Sequence, residues 1–257
     1  MIIVCVKYTP ITWRYKTNHL SLQRKYYTIN DYMEQKTYTY QYPHPAVTTD
    51  CVIFGFDGLK LQVLLIQRGI EPYKGQWAFP GGFIKMDEDA EAGAKRELQE
   101  ETGLNNAFME QFHTFSEVDR DPRERVITIA YYAIVRKQEV KGGDDAANAQ
   151  WFDIDDNMPT LAFDHDSILR VAMSHMRERM HFKPIGFELL PKEFTLKELQ
   201  TLYESVLKVH FDRRNFAKKM LHYGLIELVG KKERPFRYKF NERNYNELKE
   251  SGFRLEF

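Results

Sequence analysis

The fold class this sequence predicts is α+β: a helix-and-sheet sandwich followed by a smaller unit of short helices and a hairpin. Two observations carry that expectation. Up to about residue 182, β-rich runs interleave with two helical patterns over about 150 residues, the order expected of a sandwich. The segment from Lys183-Pro184 to Pro191 then breaks the pattern, and short helices with a basic bias follow.

The elements follow in order. Residues 47–56 and 61–67 read as strands joined by an Asp57-Gly58 hairpin turn. Trp77-Ala-Phe-Pro-Gly-Gly leads into a carboxylate-rich helix that Thr102-Gly103 stops. Residues 108–118 and 126–135 are strands, and the second, VITIAYYAIV, is apolar and β-branched like a central strand. The charged residues 119–125 form the loop between them. Residues 141–144 read as a turn and 149–153 as a short strand. Asp164 starts a helix with Ile168, Leu169, Ala172, Met173 and Met176 on its apolar face.

In the second part, Thr195 and Glu198 form a capping box opening a helix with Leu196, Leu199, Leu202, Tyr203 and Val206 inward. Asp212 caps a second helix, RRNFAKKMLHY, held inward by Phe216, Met220 and Leu221 and ended by Gly224. Residues 225–229 and 236–240 are strands flanking a basic turn. Helix, turn, basic helix and basic-tipped hairpin is the order of a winged helix-turn-helix. The expected organisation is an extension at 1–39, domains at 40–182 and 185–245, and a tail at 246–257.

Lys plus Arg and Asp plus Glu both number 37, giving zero net charge, but the distribution is uneven. Residues 184–257 carry 15 basic and 11 acidic side chains, and the preceding domain is acidic. That asymmetry fits a cation-binding domain followed by one that meets polyanions. Two cysteines, Cys5 and Cys51, argue against a disulfide scaffold and for a reducing, cytoplasmic setting. No apolar run approaches the ~20 residues of a membrane span. MIIVCV is too short for a secretory signal, and residues 1–32, basic and aperiodic, read as an upstream extension.

The chemistry is concentrated in GFIKMDEDAEAGAKRELQEETGL, residues 82–104. Glu97, Glu100 and Glu101 stand at i, i+3 and i+4, so they leave one helix face together. Like charges so close repel unless a cation lies between them, and carboxylates select a hard ion, Mg²⁺ or Mn²⁺. A solvated, ion-paired helix would explain the charge but not the spacing. Gly82, five residues, Glu88, seven residues, then Arg96, Glu97, Leu98, Glu100, Glu101, Gly103 and Leu104 resembles the Nudix box at every specified position.

The resemblance implies an α/β/α sandwich with a mixed sheet that hydrolyses a nucleoside diphosphate linked to another moiety, ADP-ribose-like sugars being the substrate class. It places metal on Glu97, Glu100, Glu101 and the Gly82 carbonyl, with a Glu88–Arg96 pair orienting the glutamates. Glu101 and Glu117 remain alternatives for the general base. Arg68, Gly81, Arg120, Arg123 and Arg125 are candidate substrate contacts, and each arginine has an equal reading as a surface or loop charge. Trp77 reads as packing beneath the glycine-rich turn, and His165 as helix-terminus chemistry.

The segments FDHDSILRVAMSHM, IGFELLPKEFTLKELQTLYESVL, DRRNFAKKM and RPFRYKF resemble Nudix-type transcriptional regulators of NAD or sugar metabolism. That resemblance implies a homodimer binding double-stranded operator DNA. Arg213, Arg214, Asn215, Lys218 and Lys219 would sit in the major groove, with Lys231, Lys232 and Arg234 on the wing against phosphate. Many such regulators have degraded Nudix boxes, whereas this chain keeps every box residue. Turnover joined to DNA binding, sensing without turnover, and a plain hydrolase with a structural C-terminal domain are therefore all open.

Overall fold

The structure is a computed structural model that describes Tyr38 and residues 40–104, 109–135, 137, 140, 146–156, 158–182, 187–230 and 234–252. The extension expected over residues 1–32, the turn at 141–144 and the wing-tip lysines lie outside the described residues.

Strand β1 (Ala46–Phe56) is the spine of the sheet. It pairs antiparallel with β2 (Leu61–Arg68) across the hairpin, where Asp57 Oδ1 accepts from the Leu59 and Lys60 amides at 2.8 Å each. It pairs parallel with β6 (Val126–Ile134), in register from Ala46↔Val126 to Phe54↔Ile134. Parallel pairing needs a long crossover, and the chain between supplies β3 (Trp77–Ala78), β4 (Gly81–Phe83), α1 (Ala90–Thr102) and β5 (Met109–Phe115). β7 (Ala146–Asp153) joins the free side of β2, completing a mixed seven-stranded sheet.

Strand alternation sorts the core into two layers. Cys51, Ile53, Leu64, Tyr131 and Ala133 pack with Ala94 and Leu98 of α1. Val52, Phe54, Val63, Ala130 and Tyr132 pack with Ile168, Ala172, Met173, Met176 and Met180 of α2 (His165–Phe182). This is the expected helix–sheet–helix sandwich. Asp89 caps α1 by accepting from the Ala92 amide, and Gly103 ends it at φ 73, a left-handed conformation open to glycine.

The second layer continues without a break into the C-terminal part. Leu199, Leu202, Tyr203 and Val206 of α3 (Leu196–Leu207) belong to the same buried cluster as Met176 and Met180. Arg177 Nε donates to the Val206 carbonyl at 2.9 Å. The capping box at Thr195 and Glu198 forms as expected. Next come α4 (Arg213–His222), an antiparallel ribbon of β8 (Ile226–Leu228) and β9 (Tyr238–Phe240), and α5 (Glu242–Glu250). This is the winged helix. α5 falls where no helix was expected; only Tyr245 and Leu248 pack against the core, and neither is fully buried.

Candidate functional site: a carboxylate-walled cavity

β4 is short and made of Gly81, Gly82 and Phe83, yet it places the site. Its antiparallel register on β1 sets Asp50 opposite Gly81 and Thr49 opposite Gly82. Side chains would not fit there: a Cβ on Gly81 would lie 2.2 Å from the Thr49 carbonyl oxygen, and one on Gly82 2.4 Å from Glu97 Oε1. The glycines thus let the turn press against α1, and the Gly81 amide donates to Glu101 Oε2 at 2.9 Å.

Beside this turn lies a cavity of about 370 Å³, lined by Glu97 and Glu101 together with Arg68, Arg120, Arg123 and Phe163. Glu101 is 8% exposed. Burial first, then the charges of Glu97 and Asp50, push its carboxyl up to about 8 against the opposing Gly81 hydrogen bond. Burial also raises Glu97. Glu101 is thus a buried carboxyl and Glu97 a partly buried one, and both resist ionisation.

Arg96 organises the acidic wall from behind. Its Nε and Nη2 grip both Glu88 oxygens, at 2.9 and 2.5 Å, while Nη1 reaches Glu97 Oε1 at 2.6 Å and Glu100 Oε2 at 3.0 Å. That grip, with the Lys85 amide, holds the Glu88 carboxyl down to about 2. Glu88 and Arg96 thus form a doubly hydrogen-bonded pair. Glu100, half-exposed and paired with Arg96, lies outside the cavity lining. No group of three His, Cys, Asp or Glu side chains poised for a metal is found among the described residues.

The arginines divide. Arg68, at the end of β2, lines the cavity, with Nε donating to the Pro72 carbonyl at 2.8 Å and its guanidinium 4.8 Å from the Phe163 ring centre. Arg123 lines the cavity too, gripped by Asp121 at 3.0 and 2.7 Å. Arg120 is deeply buried at the floor, bound to Asp164 at 3.0 and 2.7 Å and to Asp50 at 3.4 Å. Its donors are already directed at carboxylates. Arg125 turns away, donating to the Ser116 and Glu117 carbonyls at 2.8 Å each. Glu117 is exposed and does not line the cavity.

Three contributors escaped the sequence reading. Asp50 sits in the apolar run of β1, where a buried acid is the signal to look for. Phe163 precedes α2 and lines the cavity. His165 is more than a helix terminus: it is 3% exposed, and its Nδ1 accepts from the Phe79 amide at 2.9 Å. The proton therefore sits on Nε2, 3.5 Å from Asp50 Oδ1, and burial lowers the ring's pKa. Trp77 packs edge-on to Phe152 of β7, with centres 4.6 Å apart.

In the winged helix, Asp212 accepts from the Asn215 amide at 2.9 Å to start α4. Phe216 and Met220 face inward, while Arg213, Arg214, Asn215 and Lys218 are exposed and Lys219 is half-buried. Leu221 is 47% exposed and does not anchor the helix: only the stripe of positions 216 and 220, a full turn apart, reaches the core. Arg213 and Arg234 share a second, shallower cleft with Lys197 and Phe236. Lys231 and Lys232 lie outside the described residues. No helix among the described residues is long and apolar enough to cross a membrane.

Residues 44–172 match the NUDIX domain, and residues 186–240 match the NrtR DNA-binding winged helix domain. The ADPR responsive transcriptional repressor NtrR of Acinetobacter baylyi is 33% identical over 193 residues, 72% of this chain and 76% of that protein. The ADP-ribose pyrophosphatase of Methanocaldococcus jannaschii is 43% identical over 132 residues, 51% of this chain and 75% of that protein. The crystal structure of Shewanella oneidensis NrtR complexed with a 27mer DNA superposes with a TM-score of 0.65 at 26% identity, covering 81% of this chain and 97% of that one. The chain belongs to the Nudix family, in the two-domain form whose Nudix domain is followed by an NrtR winged helix.

Proposed function

We propose that this protein binds ADP-ribose or a closely related nucleoside diphosphate sugar in the carboxylate-walled cavity, hydrolyses it with Mg²⁺ or Mn²⁺, and binds operator DNA through its winged helix. In this reading it is a cytoplasmic homodimer that couples a metabolite to transcription. The observation that carries the reading is the intact acidic pair, with Glu97 and Glu101 lining the same cavity as Arg68 and Arg123. The names of the two relatives supply the ligand class, and the relative bound to DNA supplies the second partner.

The donor set fits a hard divalent cation. Glu101 is buried and Glu97 partly buried, both with raised pKa, and Glu100 follows Glu97 by three positions on α1, outside the cavity lining. Those three, with the Gly82 carbonyl, would hold the ion, which neutralises diphosphate charge and lowers the pKa of an attacking water. The chain's own residues do the rest. Arg68 and Arg123 bind and orient the phosphates, and the Gly81 amide keeps the Glu101 carboxylate aimed. Glu101 accepts the water's proton, since Glu117 stands outside the cavity lining. Glu88 positions Arg96, which spaces Glu97 and Glu100.

One observation favours sensing without turnover: the repressor relative matches across both domains, not the Nudix part alone. Incubating the purified chain with ADP-ribose and Mg²⁺, beside a gel-shift on its own upstream DNA, separates the readings. Turnover with DNA binding supports the proposal. DNA binding released by unhydrolysed ADP-ribose supports the sensor, and neither activity would overturn both.

A further inference from the structure

After β2 the chain re-enters the sheet and changes partners as it does so. Trp77 and Ala78 pair with Gln67 and Ile66 of β2, whereas Gly81 to Phe83 pair with Asp50 to Thr48 of β1. Phe79 and Pro80 make the crossing and belong to neither pairing. Pro80 brings no amide, and its carbonyl accepts from the Cys51 amide at 2.8 Å. The Phe79 amide is thus a buried donor that the sheet does not use, and such a donor is costly unless something accepts from it. His165 Nδ1 does so at 2.9 Å, its ring stacked on that of Phe79 with centres 5.2 Å apart. Nearby, the Ala162 amide donates to the Trp77 carbonyl at 2.8 Å, so the segment that opens α2 holds the crossing from both ends. The other ring nitrogen, which carries the proton, stands 3.5 Å from Asp50 Oδ1, and Asp50 is the partner of Gly81 in the sheet.

Just beyond Phe79 come the Gly81 amide, which donates to Glu101, and the Gly82 carbonyl. So short a turn passes a displacement at Phe79 straight to both groups. We propose that His165 is a positioning residue for the cation site: by accepting from the Phe79 amide, it sets where the glycine turn presents the Gly81 amide and the Gly82 carbonyl to Glu97 and Glu101. The inference rests on the metal reading of the cavity and adds to it a residue that acts without touching the ion.

Three substitutions in the full chain separate the ring's two nitrogens. His165→Asn returns an acceptor near the place of Nδ1, His165→Gln reaches the place of Nε2 instead, and His165→Leu keeps bulk without either. The measurements are Mn²⁺ affinity by electron paramagnetic resonance without nucleotide, kcat and KM for ADP-ribose with Mg²⁺, and melting temperature in EDTA. His165→Leu and His165→Gln should each weaken Mn²⁺ and lower kcat by about tenfold or more. KM should change little, since Arg68 and Arg123 stay in place. His165→Asn should recover most of both losses, even where its melting temperature falls as far as that of His165→Leu. Unchanged Mn²⁺ affinity in His165→Gln, or His165→Asn no better than His165→Gln, would overturn the proposal and leave the metal reading standing. Wild type that binds no Mn²⁺ would overturn both. Should His165→Leu fail to fold, the two polar variants decide alone, and Mn²⁺ affinity decides should wild type bind the ion without turnover.

Discussion

The Gly81 amide and Glu101 Oε2, 2.9 Å apart, lock the glycine turn to the last turn of α1 at the cavity wall. The contact exists only because Gly81 has no side chain. A Cβ there would meet the Thr49 carbonyl oxygen at 2.2 Å and the Asp50 Cα at 3.0 Å, and backbone atoms in mid-sheet cannot step aside. Gly81→Ala should therefore destabilise the domain by about 1–3 kcal/mol through overpacking. Urea unfolding checks it, and an unchanged midpoint would show that β4 is free to lift from β1.

The Glu101 carboxyl, pushed up to about 8 from the ordinary 4.5, ties stability to pH. A raised folded-state pKa means the native chain holds the proton longer than the unfolded chain does. Metal-free stability is thus full below about pH 4.5 and is lost as pH rises towards 8, each pKa unit being worth about 1.4 kcal/mol. Melting temperature in EDTA should fall over that window, and Glu101→Gln should flatten the fall. Divalent cation should reverse it and release protons near neutrality.

Glu97, Glu100 and Glu88 should separate by role in the turnover assay. Glu97→Gln and Glu100→Gln each remove a hard ligand and should cut Mg²⁺-dependent hydrolysis beyond about 100-fold with the fold intact. Glu88→Gln loosens Arg96 instead, and should cost only about 10–100-fold. Unchanged turnover in Glu100→Gln would sink its place in the metal shell, and because Glu100 lies outside the cavity lining this is the sharpest of the three tests.

Arg120 holds Asp50 and Asp164 at the cavity floor, its side chain 4% exposed. Arg120→Met leaves two carboxylates facing each other without a cation, and should cost about 3–5 kcal/mol. Adding Asp164→Asn to that variant should recover part of the loss. A cost below about 1 kcal/mol would mean water reaches the pair.

Backbone patterning made most of this fold readable, and neighbours across the chain made the rest opaque. The second half of β1 showed as an apolar run because both its faces are covered, and α1 and α3 were announced by the Gly103 stop and the Thr195 capping box. β4 was not legible, since two glycines and one phenylalanine carry no alternation and pair through backbone alone. The box gave Glu97 and Glu101, which share one helix, but Phe163 and His165 reach the cavity from the start of α2, far along the chain. Arg120 and Arg123 were equal candidates in one loop. Only the positions of Asp164 and Asp121 distinguish a buried strut from a cavity wall.

The winged helix offers the last prediction. Arg214 and Lys218 are exposed on α4, one turn apart, while Phe216 and Met220 bind that helix to the core. Arg214→Ala and Lys218→Ala should weaken operator binding with little effect on melting, by about 1–3 kcal/mol where a side chain reads a base. Lys231→Ala and Lys232→Ala, between β8 and β9 in the sequence, should instead lower affinity for every sequence alike and reduce the salt dependence by about one counterion per lysine. Linkage adds a reciprocal demand. If ADP-ribose weakens operator binding by some factor, operator must weaken ADP-ribose binding by the same factor. Titrating ADP-ribose with and without operator measures that factor directly. Equal affinities would leave a DNA-binding Nudix protein with no switch between its two sites, and absence of DNA binding at low salt would leave the basic face of α4 without its proposed partner.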